Sequence, residues 1–452
     1  MDDKHPSPEQ LAQFLAGAAD LDREERNLIV AHLITGCGLC QRVIEIESNP
    51  RLKLAPNYDE VFRKVEMMAV LMQSQVNLEQ ELSPSLWDYL KPLDHPSRLL
   101  AIRNDSRFQI WGLVNFIQGM VRPLKDEPFV AVDLAHLAVE ISRRLSEDEY
   151  GARVHDCRGS TLSTLSVVMR KAGDFQGAAD ALSRAREELR QGTGDPIEDA
   201  MLAVNTAGLL HDLGSFEEAI TLLDSAVRLF NSVKHDRGVA LSKVQQATIY
   251  RKFSPDRGIE LAEEALALLY KLDSPENTYA ELTARHELAW CYNDLGDHEE
   301  ALVIVETYDY LYRQFLDATT VGSRLWLLGK IYFRAGNFAK ASASLESAYN
   351  TFIGVHMHFD ATLVTLDRIE SLIYLRRIPE AVKLAQRMEK KLRAWGLRDD
   401  TLRLWGMIGR AIELGEFIAA GFSGRIAAHL RVNWIPRPSR VDIQTDERGI
   451  RQ

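Results

Sequence analysis

The chain has little of what usually announces chemistry in a sequence. Cysteine is scarce, four in 452 residues, with two in the cluster Cys37-Gly-Leu-Cys40. That makes a poor disulfide framework and fits a reducing compartment. No window approaches 18 uninterrupted apolar residues and the opening Met-Asp-Asp-Lys-His carries no apolar leader, so no membrane partner or export is expected and a cytoplasmic location is. Basic charge is in deficit, 54 Lys and Arg against 65 Asp and Glu, and the net charge of -11 argues against direct nucleic-acid binding. A P-loop, Gly-x-Gly-x-x-Gly, His-Glu-x-x-His and Gly-x-Ser-x-Gly are all absent, so no local motif supports catalysis and a non-enzymatic role is expected. His155 and Cys157, like His356 and His358, stand two residues apart in helical sequence, so each pair points to different faces. Cys157 and Cys291 read as packing residues.

What the chain does have is a repeat. Between about residues 170 and 385 one pattern recurs: a glycine or polar turn, an aromatic or apolar residue, then an alanine three positions on. Gly173-Asp-Phe175-x-x-Ala178, Gly214-Ser-Phe216-x-x-Ala219, Gly296-Asp-His298-x-x-Ala301 and Gly336-Asn-Phe338-x-x-Ala341 are the clearest copies, with degenerate ones ending at Ala262 and Ala381. A steady period near 40 residues predicts a solenoid of helix pairs. In one copy the first helix carries Leu325, Leu328, Gly329 and Tyr332, and the second answers with Ala341, Leu345 and Ala348. Small residues at Gly329 and Ala341 let the two backbones approach, and Gly336-Asn337 supplies the turn.

On these residues the segment resembles the tetratricopeptide repeat. The resemblance implies an all-α, right-handed α-solenoid of tetratricopeptide-like helix pairs. It departs from that family in its longer period and in two copies that replace the turn glycine, at Phe253-Ser-Pro-Asp-Arg-Gly258 and Arg376-Arg-Ile-Pro379.

The first 48 residues fall outside the repeat. A helix through Leu11, Phe14 and Leu15 and a second from Glu24 to Leu33 lead into Cys37-x-x-Cys40, whose sulfurs can share one metal ion with His32. His5 is the other histidine within the first 90 residues. The segment resembles the zinc-binding anti-sigma-factor domain, with one extra residue between His32 and Cys37. That resemblance implies a small helical head in which His5, His32, Cys37 and Cys40 hold a structural Zn²⁺. A loop dithiol, inert or redox-active, is the alternative reading of Cys37 and Cys40.

The organisation expected is therefore a zinc-binding head over 1–48, a helical linker over 49–97, the solenoid over 98–430 and an extended tail over 431–452. Pro50, Pro56, Pro84, Pro92 and Pro96 break the linker, leaving Val61–Leu82 as its one convincing helix, and Arg98–Val121 with Pro128–Leu145 reads as an atypical capping pair. Leu402–Leu414 and Phe417–Leu430 read as the last pair.

In tetratricopeptide solenoids the first helix of each pair lines the concave groove. The register places His211, Arg251, His286, Trp290, Asn293, Trp326, Lys330, Phe333 and Arg334 on or near that face. Aromatics beside cations suit an extended peptide, the rings giving buried area and the cations pairing with carboxylates or carbonyls; the alternative is that Trp290 and Trp326 are core between repeats. The reading is a cytoplasmic scaffold or regulator that binds a protein or extended peptide in its groove and uses the head for a second contact. Two alternatives stand beside it: a peptide-responsive regulator of anti-sigma type acting on a transcription factor, and an accessory subunit holding a separate catalytic subunit such as a protease or nuclease.

Overall fold

The structure is a computed structural model that describes residues 6–15, 22–34, 75–121, 124, 126–272, 274–397 and 399–413, with fragments at 426–427 and 430. Its regular elements among these residues are all helices. None is long and apolar enough to cross a membrane.

The head contributes α1 (Pro8–Leu15) and α2 (Arg23–Ile34). They bury Leu11 and Ile29, and Gln10 donates to Glu25 across the pair at 3.0 Å. A helix over 75–90, α3, follows, then α4 (His95–Asn104), α5 (Trp111–Val121), α6 (Pro128–Ser142) and the short α7 (Glu147–Tyr150). The repeat then runs as six pairs: α8 (Arg153–Lys171) with α9 (Phe175–Gln191), α10 (Pro196–Leu213) with α11 (Phe216–Ser232), and α12 (Asp236–Tyr250) with α13 (Pro255–Leu272). Next come α14 (Thr278–Leu295) with α15 (His298–Thr307), the single turn α16 (Asp309–Tyr312), α17 (Ala318–Arg334) with α18 (Phe338–Gly354), and α19 (His358–Tyr374) with α20 (Ile378–Ala394). Finally α21 (Asp399–Glu413) packs on α20.

The repeat register is visible in burial. Ala178, Ala219, Ala262, Ala301, Ala341 and Ala381 all have no exposed surface, because each sits where the two helices of its pair touch. The turns show why the motif begins with glycine and a short polar residue. Gly173, Gly214, Gly296 and Gly336 have φ between 74° and 107°, the left-handed region that a Cβ disfavours. Asp174, Asp297 and Asn337 then accept from the backbone three residues on and cap the second helix. Where the glycine is missing, two solutions appear. Arg376 takes the left-handed conformation itself, φ 58°, a strain of about 1 kcal/mol for a side-chain-bearing residue. The turn at Phe253 closes instead through Ser254 N–H to Tyr250 C=O, 2.7 Å, and Pro255 opens the next helix.

The N-terminal helices depart from expectation in three ways. Helix α3 runs through Pro84, which leaves the carbonyl of exposed Gln80 without its helical donor. Its inner face is also built into the first helices rather than into a linker: Leu90 is fully buried, and buried Glu79 accepts from Gly112 N–H at 2.9 Å and Tyr150 O–H at 2.7 Å. Finally, the stretch from Arg98 to Val121 is not one helix, since extended Asp105 caps a 3₁₀ turn at Ser106–Phe108.

The superhelix brings distant repeats together. Asp126 accepts from the backbone N–H groups of Ala318 (2.6 Å) and Thr319 (2.9 Å), where its charge also complements the N-terminal end of α17. The rings of Phe175 and Phe359 meet edge to face at 5.3 Å.

Candidate functional site

Six of the nine groove residues expected from the register converge. Arg251, His286, Trp290, Trp326, Lys330 and Arg334 line one cavity of about 310 Å³, formed by α12, α14, α17 and α19. A second space of about 220 Å³ shares His286, Glu287 and Ser323 with it and adds Tyr279, Thr283, Tyr312 and Thr319. The two make one trough, charged at one end and lined by hydroxyls and rings at the other.

Its walls are held by a defined set of polar contacts. Asp367, almost buried, accepts from Trp326 Nε1 and Lys330 Nζ, both at 2.7 Å. Burial alone would depress the Lys330 pKa, but the Asp367 carboxylate outweighs it and holds the ammonium above its ordinary range. Arg251 donates to Asp294 at 3.0 Å while its guanidinium lies 4.5 Å from the Trp290 ring centroid. Its Nε stands 3.4 Å from Glu287 Oε2, too poorly aligned for a hydrogen bond, so both buried atoms keep unmet hydrogen-bonding capacity.

His286 is set in one state at ordinary pH. Burial pushes its pKa down to about 4, so the ring is neutral at physiological pH. Trp290 Nε1–H donates to its Nε2 at 3.0 Å, which leaves the proton on Nδ1 to face Tyr312 Oη at 2.9 Å. Burial raises the Tyr312 pKa as well. Trp290 and Trp326 meet edge to face at 6.2 Å, and Trp326 meets Phe352 at 6.3 Å. The tryptophans are thus wall and core together: Trp290 is buried and Trp326 packs against three separate apolar clusters. Arg334, by contrast, is exposed.

Three expected groove residues lie elsewhere. Asn293 is fully buried, its amide atoms without a protein partner, because a step of three residues from Trp290 turns it about 60° away from the cavity. Phe333 packs with Phe338 and Tyr374, ring centroids 5.3 and 5.2 Å away. His211 sits two repeats earlier against Asp212, 3.1 Å, which Arg170 also holds at 2.5 Å. Conversely, the acidic wall of Glu287, Asp294 and Asp367 is not among the groove residues expected from aromatics and cations. The signal was present, since Asp294 follows Trp290 by one helical turn and Asp367 follows Trp326 by one repeat.

Of the expected zinc ligands, His32 lies in the last turn of α2, while His5, Cys37 and Cys40 lie outside the described residues. Among the described residues no group of three or more His, Cys, Asp or Glu side chains is placed to hold a metal ion. Burial pushes the Cys291 thiol up to about 12 and raises that of Cys157, as packing residues require. His155 pairs with Glu188 at 2.8 Å rather than with Cys157.

The tetratricopeptide repeat family model matches residues 282–307, which span most of α14 and the whole of α15. A solved Rap protein complexed with Competence and Sporulation Factor is similar at 15% identity, covering 68% of this chain and 82% of that one with a TM-score of 0.54. A signal transduction ATPase with numerous domains and a tetratricopeptide repeat sensor, from Pyrococcus horikoshii, is similar at 18% identity, covering 82% of this chain and 54% of that one with a TM-score of 0.45. No curated protein matches. The repeat match and the fold place the chain in the class of tetratricopeptide-type α-solenoids.

Proposed function

We propose that this chain is a non-enzymatic scaffold or regulator that binds a protein segment or extended peptide in the trough between α14 and α17. The observation that carries this reading is the trough itself, where Arg251, His286, Trp326, Lys330 and Arg334 from successive repeats face one space. Ring area at the tryptophans and an exposed cation at Arg334 are two things an extended peptide uses. The Rap structure similar in fold is a complex with Competence and Sporulation Factor, which supports the reading by analogy. Selection of a randomised linear-peptide library on the full chain tests it. Peptides recovered should lose about tenfold in affinity, about 1.4 kcal/mol, in Arg334→Glu, a rim charge reversal, and keep their affinity when exposed Glu217 is changed to Lys. Failure to recover any peptide, or indifference to Arg334→Glu, refutes the groove as the site.

We also propose that the head binds one zinc ion through His5, His32, Cys37 and Cys40. Two imidazoles and two thiolates are the donor set of a closed tetrahedral structural site. The ion would stabilise the head as a second contact surface, which suits a regulator or accessory subunit better than an isolated peptide carrier.

A further inference from the structure

Beyond α21 the chain comes back to the trough. Ala427 lines its charged end together with Trp326, Lys330, Arg334 and Asp367. Ile426 and Leu430, four residues apart, are buried in the same apolar cluster as Leu363, itself part of the trough wall. This stretch is therefore anchored on the site rather than on the outside of the solenoid. Residue 431 follows Ala427 by four positions, so the next segment starts no more than about 15 Å from a lining residue.

We propose that residues 431–440 of the chain itself occupy the trough and must be displaced by any peptide that binds there. The proposal rests on the trough being a peptide site. The segment reads Arg-Val-Asn-Trp-Ile-Pro-Arg-Pro-Ser-Arg. Pro436 and Pro438 restrict the backbone to extended conformations, which lowers the entropy lost on seating it. Trp434 and Ile435 bring apolar area to a wall of rings. Arg431, Arg437 and Arg440 give the segment three positive charges and no acid in a chain of net charge -11, so the field of its own body draws it back. Glu287, Asp294 and Asp367 place acid within the trough. The lengths agree. Neighbouring first helices stand about 10 Å apart, so crossing from α19 to α12 takes about 30 Å. Ten extended residues reach about 33 Å. A short tether holds its segment at an effective concentration of about 1 mM, so an intrinsic Kd on the order of 50 μM is enough to raise the apparent Kd of a competing peptide about twentyfold.

Fluorescence anisotropy with a dye-labelled synthetic peptide of residues 431–440 tests this on the full chain. The peptide should bind the chain carrying Trp434→Ala with Ile435→Ala at least tenfold more tightly than it binds wild type, the helical circular-dichroism signal being unchanged. Ile450→Ala, beyond the segment, should leave the wild-type affinity as it is. Ser323 lines both parts of the trough, so Ser323→Phe added to the double substitution should remove the binding. Peptides recovered from the randomised library should displace the labelled peptide and also bind the doubly substituted chain at least tenfold more tightly than wild type, a comparison that needs no change in the trough. Equal affinity of the labelled peptide for the two chains, or binding that survives in folded Ser323→Phe protein, overturns the proposal. Library peptides bound equally by both chains overturn it while leaving the trough a peptide site; library peptides bound by neither chain remove the site and the proposal together.

Discussion

One alanine placed in two helices should have opposite effects. At Gly329 in α17 an added Cβ would lie 2.6 Å from Leu345 Cγ and 2.7 Å from Leu345 Cδ2. An ordinary carbon–carbon separation is about 3.5 Å, so Leu345 must move by roughly 1 Å. It has nowhere easy to go, since it is fully buried in a cluster with Ala348, Phe352 and Val364. Overpacking of this kind costs about 1–3 kcal/mol, against which alanine's better helix propensity returns up to about 1 kcal/mol. Gly119 in α5 is exposed and an added Cβ there meets nothing within 4 Å, so only the propensity gain remains. Gly329→Ala should therefore destabilise by about 1 kcal/mol, and Gly119→Ala should stabilise by about 0.5–1 kcal/mol. Urea unfolding followed by tryptophan fluorescence is the assay of choice, because Trp326 lies on α17 itself and reports local loss in a solenoid that need not unfold in one step. Leu345→Ala supplies the control for mechanism: combined with Gly329→Ala it should cost less than the two single changes together, by at least about 0.5 kcal/mol. Stabilisation by Gly329→Ala, or strict additivity with Leu345→Ala, would refute the close approach.

Two further outcomes follow from the site and the head. His286, neutral with a pKa of about 4 against an ordinary 6.5, binds fewer protons folded than unfolded, so the stability it supports is lost as pH falls through that window. His358, pushed down by burial and by His356, adds in the same direction, whereas Glu198, raised to about 7 by burial and Asp195, works in the opposite one. His286→Gln, which keeps an acceptor for Trp290, isolates the first: between pH 7 and 4.5 the variant should lose about 2 kcal/mol less than wild type in urea unfolding, and equal losses would place the imidazole in water. For the head, elemental analysis of protein purified without added metal should give one zinc per chain, falling to none in Cys37→Ser with Cys40→Ser; a metal-free wild type would leave Cys37 and Cys40 as a loop dithiol.

The repeat was legible because its markers are steric. An alanine at a helix crossing and a glycine at a left-handed turn admit few substitutes, so Ala178 through Ala381 set the register by themselves. The face of each helix was less legible. Consecutive residues turn by about 100°, and an error of one position separates groove from interior, so the register assigns Asn293 and Phe333 to a wall they do not form. The break at Asp105 and the passage of α3 through Pro84 depend on whether freed backbone groups meet a side chain or water, which periodicity does not encode. Least legible was the contact of Asp126 with α17, made across 192 residues. No local pattern announces it, because both partners are ordinary for their own surroundings.

The double role of the tryptophans decides how the groove can be tested. Trp326 donates to Asp367 and packs on residues from three clusters, so emptying its site would cost about 3–5 kcal/mol and loosen every wall of the trough at once. Loss of binding in Trp326→Ala would then say nothing about contact with a ligand. Lys330 and Arg251 are compromised in a similar way, since each neutralises a carboxylate of the wall, and removing it would leave buried Asp367 or half-buried Asp294 short of its partner. Arg334 is free of this difficulty. It stands exposed at the charged end of the trough and supports no buried partner, so a change there alters the field seen by a ligand without disturbing the wall behind it. The residues that build this site and the residue that can report on it are therefore different, and the informative substitution is the rim arginine rather than the aromatic floor.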